Sequence, residues 1–236
     1  MYRGDKNPDV EAILQLTPDL VVSNVEENRR EDIEFPQSRG ISVFICFPQT
    51  VVEALVTLRA LAQATRTEEQ ALPVLARIDS AYEHTTALPT RRRQVRVFCP
   101  IWKHPWMTIN QDTFIHDMLA ICGGANVFAK RERRFPLAAD LGQHPELLDT
   151  RVIGRGRRYP RVSLDEMARL MPEVILLPDE PYRFSEADRA DFVGFPHVPA
   201  VHHSRIPVID GKSVCWYWSR MDESLEILHQ LLRPAG

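Results

Sequence analysis

The chain has 236 residues, 44% of them hydrophobic and 26% charged, with a formal net charge of −3. That apolar content supports a packed core, and the slight acidic excess argues against a nucleic-acid partner. No apolar run approaches the ~20 residues that cross a bilayer, and the opening MYRGDKNPD lacks the apolar stretch of a signal peptide.

Val10, Ile13 and Leu14 fall at helical spacing, Pro8 suits a first turn, and Pro18 ends the helix. The apolar runs Leu20 to Ser23 and Ile41 to Phe47 predict buried parallel strands. Thr50 is placed to cap a helix over Val51 to Gln63, with Glu53 in its first turn. A longer helix is expected over Glu68 to Leu88, with Leu72, Leu75, Ile78 and Tyr82 as apolar positions; Pro89 and the basic run Arg91 to Arg93 close it. This helix reads as a stiff bridge over residues 67–93, between an α/β lobe at 1–66 and a second at 94–236.

The second lobe opens with a strand from Val95 to Cys99, followed by the loop PIWKHPWMTINQ. Asp112 is placed as the cap of a helix whose Ile115, Met118, Leu119 and Cys122 share a face, and Gly123-Gly124 stops it. Residues 131–159 are polar and weakly periodic, too long for an ordinary connection, and read as a functional or mobile loop. A helix over Ser163 to Met171, strands over Val174 to Leu177 and Ile206 to Ile209, and a helix over Asp222 to Leu232 complete the pattern. The four cysteines match no zinc or CxxC spacing and read as free, mostly buried thiols.

One pattern occurs twice. NPDVEAILQLTPDLVVSNVEEN and RVSLDEMARLMPEVILLPDEPY each give an amphipathic helix, a proline, an apolar strand and an acidic loop, with Pro18 and Pro172 at matching places. A repeat this widely spaced points to two lobes of similar plan, with mainly parallel sheets and a cleft between them.

In parallel sheets, ligands sit beyond the carboxyl ends of the strands. There the chain places Asn24, Glu26 and Glu27; Trp102, His104 and Trp106; Asp179, Glu180, Tyr182 and Phe184; and Trp216, Tyr217, Trp218 and Arg220. All four tryptophans belong to this set. The functional reading is an aromatic-lined cleft for a bulky amphipathic ligand; the structural alternative for each ring is packing between the lobes. Glu26, Glu27 and Glu180 read as paired acidic knobs for a basic partner, or as solvated loop charge. His104 is placed to touch a ligand, although a lone loop histidine is more often merely polar. No metal set and no P-loop, GxGxxG, HExxH or GxSxG motif is present, so no catalytic residue is assigned.

The stretches NPDVEAILQLTPDLVVSNVEENR, PWMTINQDTFIHDMLAICGGANVF, YPRVSLDEMARLMPEVILLPDEPY and DGKSVCWYWSR together resemble the cobalamin-binding members of the class III (Fe/B12-type) periplasmic substrate-binding proteins of ABC transporters. The resemblance covers nearly the whole chain. It implies two α/β lobes joined by one rigid helix and a monomeric, non-enzymatic, periplasmic receptor for a corrinoid. It also implies that Trp106 and Trp216 are cleft aromatics contacting that ligand, and that Glu180 with Glu26 or Glu27 docks to permease arginines. The reading of the strand-end loops adds Trp102, His104, Tyr182, Trp218 and Arg220 as expected ligand contacts. Three features depart from the family. The chain starts near the segment GDKNPD, where relatives begin with a further strand and helix; the last helix has no cysteine to pair with Cys122; and Asn24 stands where a cobalamin receptor can carry an aromatic. Iron-chelate or haem binding, and an intracellular corrinoid-handling protein or enzyme, are the alternatives.

Overall fold

The computed structural model describes residues 8–87, 93–147 and 155–234. The first lobe contains α1 (Val10–Gln15), β1 (Leu20–Asn24), α2 (Arg30–Ser38), β2 (Ser42–Cys46) and α3 (Val51–Thr65). β1 and β2 run parallel, in register from Leu20 beside Ser42 to Asn24 beside Cys46. The Thr50 side chain caps α3 by accepting the Glu53 amide at 3.1 Å, and Arg66, at φ 57°, closes it in the left-handed conformation. α2 is an addition to the expected elements. Its sequence REDIEFPQS buries only Ile33 and Pro36, too few positions to produce a readable helical stripe.

The expected long helix is α4 (Glu68–Ala87), about 30 Å at 1.5 Å per residue. It buries Leu75 and Ile78, whereas Leu72, expected on its apolar face, is 63% exposed. α4 packs against both α3 and α10 (Met221–Leu231). It therefore belongs to the core of the molecule as well as joining its halves.

In chain order the second lobe contains β3 (Val95–Phe98), β4 (Pro100–Trp102), β5 (Met107–Thr108), α5 (Phe114–Ile121), β6 (Gly124–Asn126), α6 (Leu137–Asp140), α7 (Leu164–Arg169), β7 (Val174–Ile175), β8 (Leu177–Pro178), a 3-10 turn at Glu186–Phe192, α8 (Pro199–His202), β9 (Val208–Ile209), α9 (Lys212–Cys215) and α10. β3 lies between β6 and β7 and is parallel to both; β8 pairs with β9, also parallel. Alternation along β3 divides the core into two layers. Val95 and Val97 pack with Met118, Leu119, Leu225 and Leu228 on one face, and Phe98 packs with Phe128, Met167, Ile175 and Phe192 on the other. The fold is thus α/β, with two lobes, mainly parallel sheets and one long connecting helix.

Local details differ from the sequence reading. The loop after β3 contains an antiparallel hairpin, β4 with β5. Asp112 does not cap α5. Thr113 does, accepting the His116 amide at 3.2 Å, while the Asp112 amide is held by the Asn110 side chain at 2.9 Å. Gly123, at φ 88°, stops α5, but Gly124 opens β6, where a Cβ would meet the Leu119 carbonyl oxygen at 2.9 Å. The strand expected over Val174 to Leu177 is split into β7 and β8. The polar stretch at 131–159 is well tied where it is described. The Asp140 carboxylate, 1% exposed, lies 3.1 Å from the Arg131 guanidinium and accepts the amides of Arg134 at 2.9 Å and Arg161 at 2.7 Å.

The internal repeat has a backbone counterpart. Thr17 at φ 48° and Met171 at φ 49° each follow a helix and precede a proline that leads into a strand. In the first lobe, Val22 and Ile45 of the two strands are each 47% exposed, and Val52 and Val56 of α3 are 49% and 60% exposed. Links between the lobes go beyond α4. The Asp117 carboxylate of α5 accepts the amide of Val51, the first residue of α3, at 2.8 Å. Burial raises the Asp117 pKa, opposed by that same amide bond.

Candidate functional site

The loops at the carboxyl ends of the strands are held by a few specific contacts. After β8, the Asp179 carboxylate accepts the Gly211 amide at 2.7 Å. A Cβ on Gly211 would lie 2.5 Å from the Glu180 nitrogen, so the DGK turn takes glycine for close approach of two backbones. Glu180 then reaches Trp216, whose Nε1 donates to Oε2 at 3.1 Å. Lys212 Nζ lies 5.3 Å from the Trp216 ring centre.

The same loop carries Tyr182 and Phe184 into an aromatic chain. Trp102 meets Tyr182 edge to face at 5.6 Å; Tyr182 meets Phe184 at 4.7 Å; Phe184 stacks on Trp106 at 5.7 Å; and Trp106 meets Phe192 at 5.5 Å. Lys103 Nζ stands 5.9 Å from the Trp106 ring and 2.6 Å from both Asp188 and Asp191. That bridge pins the β4–β5 hairpin to the 3-10 turn beneath the rings. Trp102 and Trp216 keep 42% and 44% of their surface exposed, while Trp106 and Tyr182 are half-buried against the core.

A second aromatic group joins the lobes. Tyr217 packs with Phe114 at 5.6 Å and with Trp218 at 5.1 Å, and its hydroxyl accepts the Asn24 amide group from the end of β1. Close by, the Tyr159 hydroxyl donates to Glu26, and Arg158 lies 3.0 Å from the same carboxylate and 4.5 Å from the Phe47 ring centre. Burial, then the neighbouring Glu26, raises the Tyr159 pKa. Burial, then Cys46, does the same for Tyr217. Both phenols are therefore held as hydrogen-bond donors rather than phenolates.

The structure brings Trp102, Trp106 and Tyr182 into one chain and ties Trp216 to it through Glu180. Trp218 belongs instead to the Tyr217 group. Arg220 is exposed and 3.4 Å from Asp210; His104 is exposed on a positive-φ corner, φ 64°. Glu26 is already engaged by Tyr159 and Arg158, and Glu180 by Trp216, so neither carboxylate is a simple solvated knob. Among the described residues no His, Cys, Asp and Glu group could hold a metal ion, and no helix is long and apolar enough to cross a membrane. Sequence reasoning did not single out Lys103, Arg158 or Tyr159. Lys103, flanked by Trp102 and His104, carried a local signal; the other two depend on long-range pairing.

Among known proteins, the vitamin B12-binding protein of Salmonella typhimurium is 29% identical over 143 residues, covering 59% of this chain and 54% of that protein. The protein of the same name from Vibrio campbellii is 22% identical over 174 residues, covering 74% and 54%. The chain thus spans about half the length of the curated relatives it matches. Among solved structures, the periplasmic vitamin B12 binding protein of Vibrio cholerae superposes with TM-score 0.71 at 17% identity, covering 97% of this chain and 79% of that one. A periplasmic heme-binding protein from Roseiflexus superposes with TM-score 0.73 at 17% identity, covering 96% and 80%. These likenesses support the two-lobed fold, and the periplasmic binding protein family model matches residues 2–210. The chain belongs to the periplasmic binding protein family.

Proposed function

We propose that this chain binds a corrinoid at the aromatic loops beyond the strand ends, without chemical change, and presents it to the permease of an ABC importer outside the cytoplasm. The observation that carries this reading is the pair of accessible indoles, Trp102 and Trp216, each held to one loop, through Tyr182 and Glu180 respectively. A corrin is broad and apolar on its faces with an amide rim, and suits rigid rings with a few polar tips better than a strongly charged pocket. Vitamin B12-binding relatives support the same ligand class. Trp106, Trp218, His104 and Arg220 are proposed as flanking contacts. In this reading the receptor works as a monomer, and Glu180, with Glu27 or Glu26, supplies the acidic contacts to the permease, setting orientation and on-rate.

A second reading, haem or an anionic iron chelate, draws on the cations Arg158 and Lys212 over aromatic rings, on Arg220 a few residues along the chain from Trp216, and on the heme-binding neighbour. Equilibrium dialysis of the purified chain against cyanocobalamin and against haemin separates the two. Saturable binding of cyanocobalamin supports the corrinoid assignment; retention of haemin alone replaces it with the second reading.

A further inference from the structure

The aromatic loops occupy the carboxyl end of the second-lobe sheet. The opposite, amino end carries a different chemistry. Arg93 and Arg96 lie at the start of β3, Arg169 ends α7, Glu173 precedes β7, His203 follows α8 and Arg205 precedes β9. Together they line one recess of about 610 Å³. Four guanidiniums share it with a single carboxylate, in a chain whose Asp and Glu outnumber its Lys and Arg by 32 to 29.

Glu173 pairs directly with Arg93, with contacts of 2.8 and 2.7 Å, and its charge also reaches Arg205. The other three guanidiniums are anchored by neutral backbone carbonyls. Arg96 Nε donates to Leu170 at 3.1 Å, Arg169 Nε to Asp165 at 3.1 Å, and Arg205 Nη2 to Leu231 and Arg233 at 3.0 and 2.7 Å. Carbonyl anchors fix orientation without cancelling charge. A guanidinium has five N–H donors. Among the described residues, Arg96 Nη1, Arg205 Nε and Nη1, and both Nη of Arg169 make no hydrogen bond to a protein acceptor. The result is a set of oriented donors, four guanidiniums against one carboxylate, around one recess, the arrangement that recognises tetrahedral oxyanions.

We propose that this recess is a second binding site, for a multiply charged phosphate-type anion, whether a soluble diphosphate or phosphomonoester or the headgroup of an anionic lipid. It is independent of the ligand bound at the aromatic end, so failure of one assignment leaves the other standing.

The test is calorimetric titration with pyrophosphate at low ionic strength. Arg169→Glu reverses one charge at an exposed side chain whose only described bond is within its own helix, so the fold should survive, as a thermal melt will verify. Arg39→Glu, at the residue that follows α2, makes the same change of net charge as a control. Wild type and Arg39→Glu should bind alike, and Arg169→Glu on the order of tenfold more weakly or worse, the scale of losing a charge-assisted hydrogen bond. No binding by wild type, or equal weakening by both variants, overturns the proposal. Cosedimentation with phosphatidylcholine vesicles, with and without phosphatidic acid, identifies the source. Retention that requires phosphatidic acid and is lost in Arg169→Glu assigns a lipid headgroup; pyrophosphate binding without retention assigns a soluble anion; acid-dependent retention unchanged in Arg169→Glu contradicts the site.

Discussion

Phe184 lies parallel to Trp106, with ring centres 5.7 Å apart and planes inclined by 11°. Phe192 closes on the same indole at 5.5 Å. Trp106 is therefore a supporting wall as much as a contact surface, and the more accessible ring is Trp102. The two substitutions should separate. Trp106→Ala should lower unfolding stability by about 2–3 kcal/mol, because a half-buried indole leaves a cavity. Trp102→Ala should leave stability nearly unchanged while weakening proposed ligand binding roughly ten- to hundredfold. Denaturant titration and ligand titration of both variants check this; equal stability losses would reject the division of roles.

Gly211 admits the Glu180 backbone where a methyl group would sit 2.5 Å from its nitrogen. Gly211→Ala should push the Asp179–Glu180 turn away and release Trp216 from Glu180. Glu180→Gln, which keeps an acceptor for Nε1, should leave the indole in place. Trp216 fluorescence should thus shift toward a more solvated environment in the first variant and not in the second. Glu180→Lys should weaken the proposed permease docking, and it should also disturb Trp216, whose Nε1 donates to the same carboxylate.

The Lys103 bridge gives a pH signature. Burial alone would raise Asp188, but the bonds from Lys103 at 2.6 Å and from the Ser185 amide and hydroxyl at 2.8 and 2.9 Å outweigh it and hold the carboxyl below its ordinary value. Lys103 is raised in return, first by Asp188 and then by Asp191. A depressed carboxylate contributes stability above its unfolded pKa of about 4, and that contribution is lost as pH falls through the folded value. A raised ammonium contributes below its unfolded pKa of about 10.4, and that contribution is lost as pH rises through the folded value. Lys103→Met should flatten both arms of the profile of melting temperature against pH. An unchanged acid arm would show that Lys103 does not hold Asp188.

The thiols of Cys99 and Cys122 are buried, and burial pushes both up to about 12. Near pH 8 they should therefore resist a thiolate-selective reagent in the native protein and react on unfolding. Mass-mapped alkylation before and after denaturant checks this; rapid native labelling of either cysteine would contradict the packing described.

Several features were readable in the chain because they depend on neighbours in sequence. The Thr50 cap, the Gly123 stop, the long helix from Glu68 and the paired units around Pro18 and Pro172 are of this kind, each fixed within a few residues. α2 was not readable, because Ile33 and Pro36 are its only buried positions and the rest of its surface is polar. The β4–β5 hairpin was hidden by its short strands and by His104 at the corner. The candidate site was legible as a set of aromatic loops, but not as a partition into groups. Trp106 with Phe184 and Phe192, and Tyr217 with Asn24, are pairings across distant segments. Glu26 looked like a free acidic residue for the same reason: Arg158 and Tyr159 lie far along the chain.

The most direct test of the account is a titration of the purified chain with cyanocobalamin, followed by tryptophan quenching, in wild type, Trp102→Ala and Trp216→Ala. Saturable one-to-one binding by the wild type and a roughly ten- to hundredfold loss in each variant are expected. Absence of binding by the wild type would contradict the corrinoid assignment, and equal affinity in all three proteins would remove the two exposed indoles from the site.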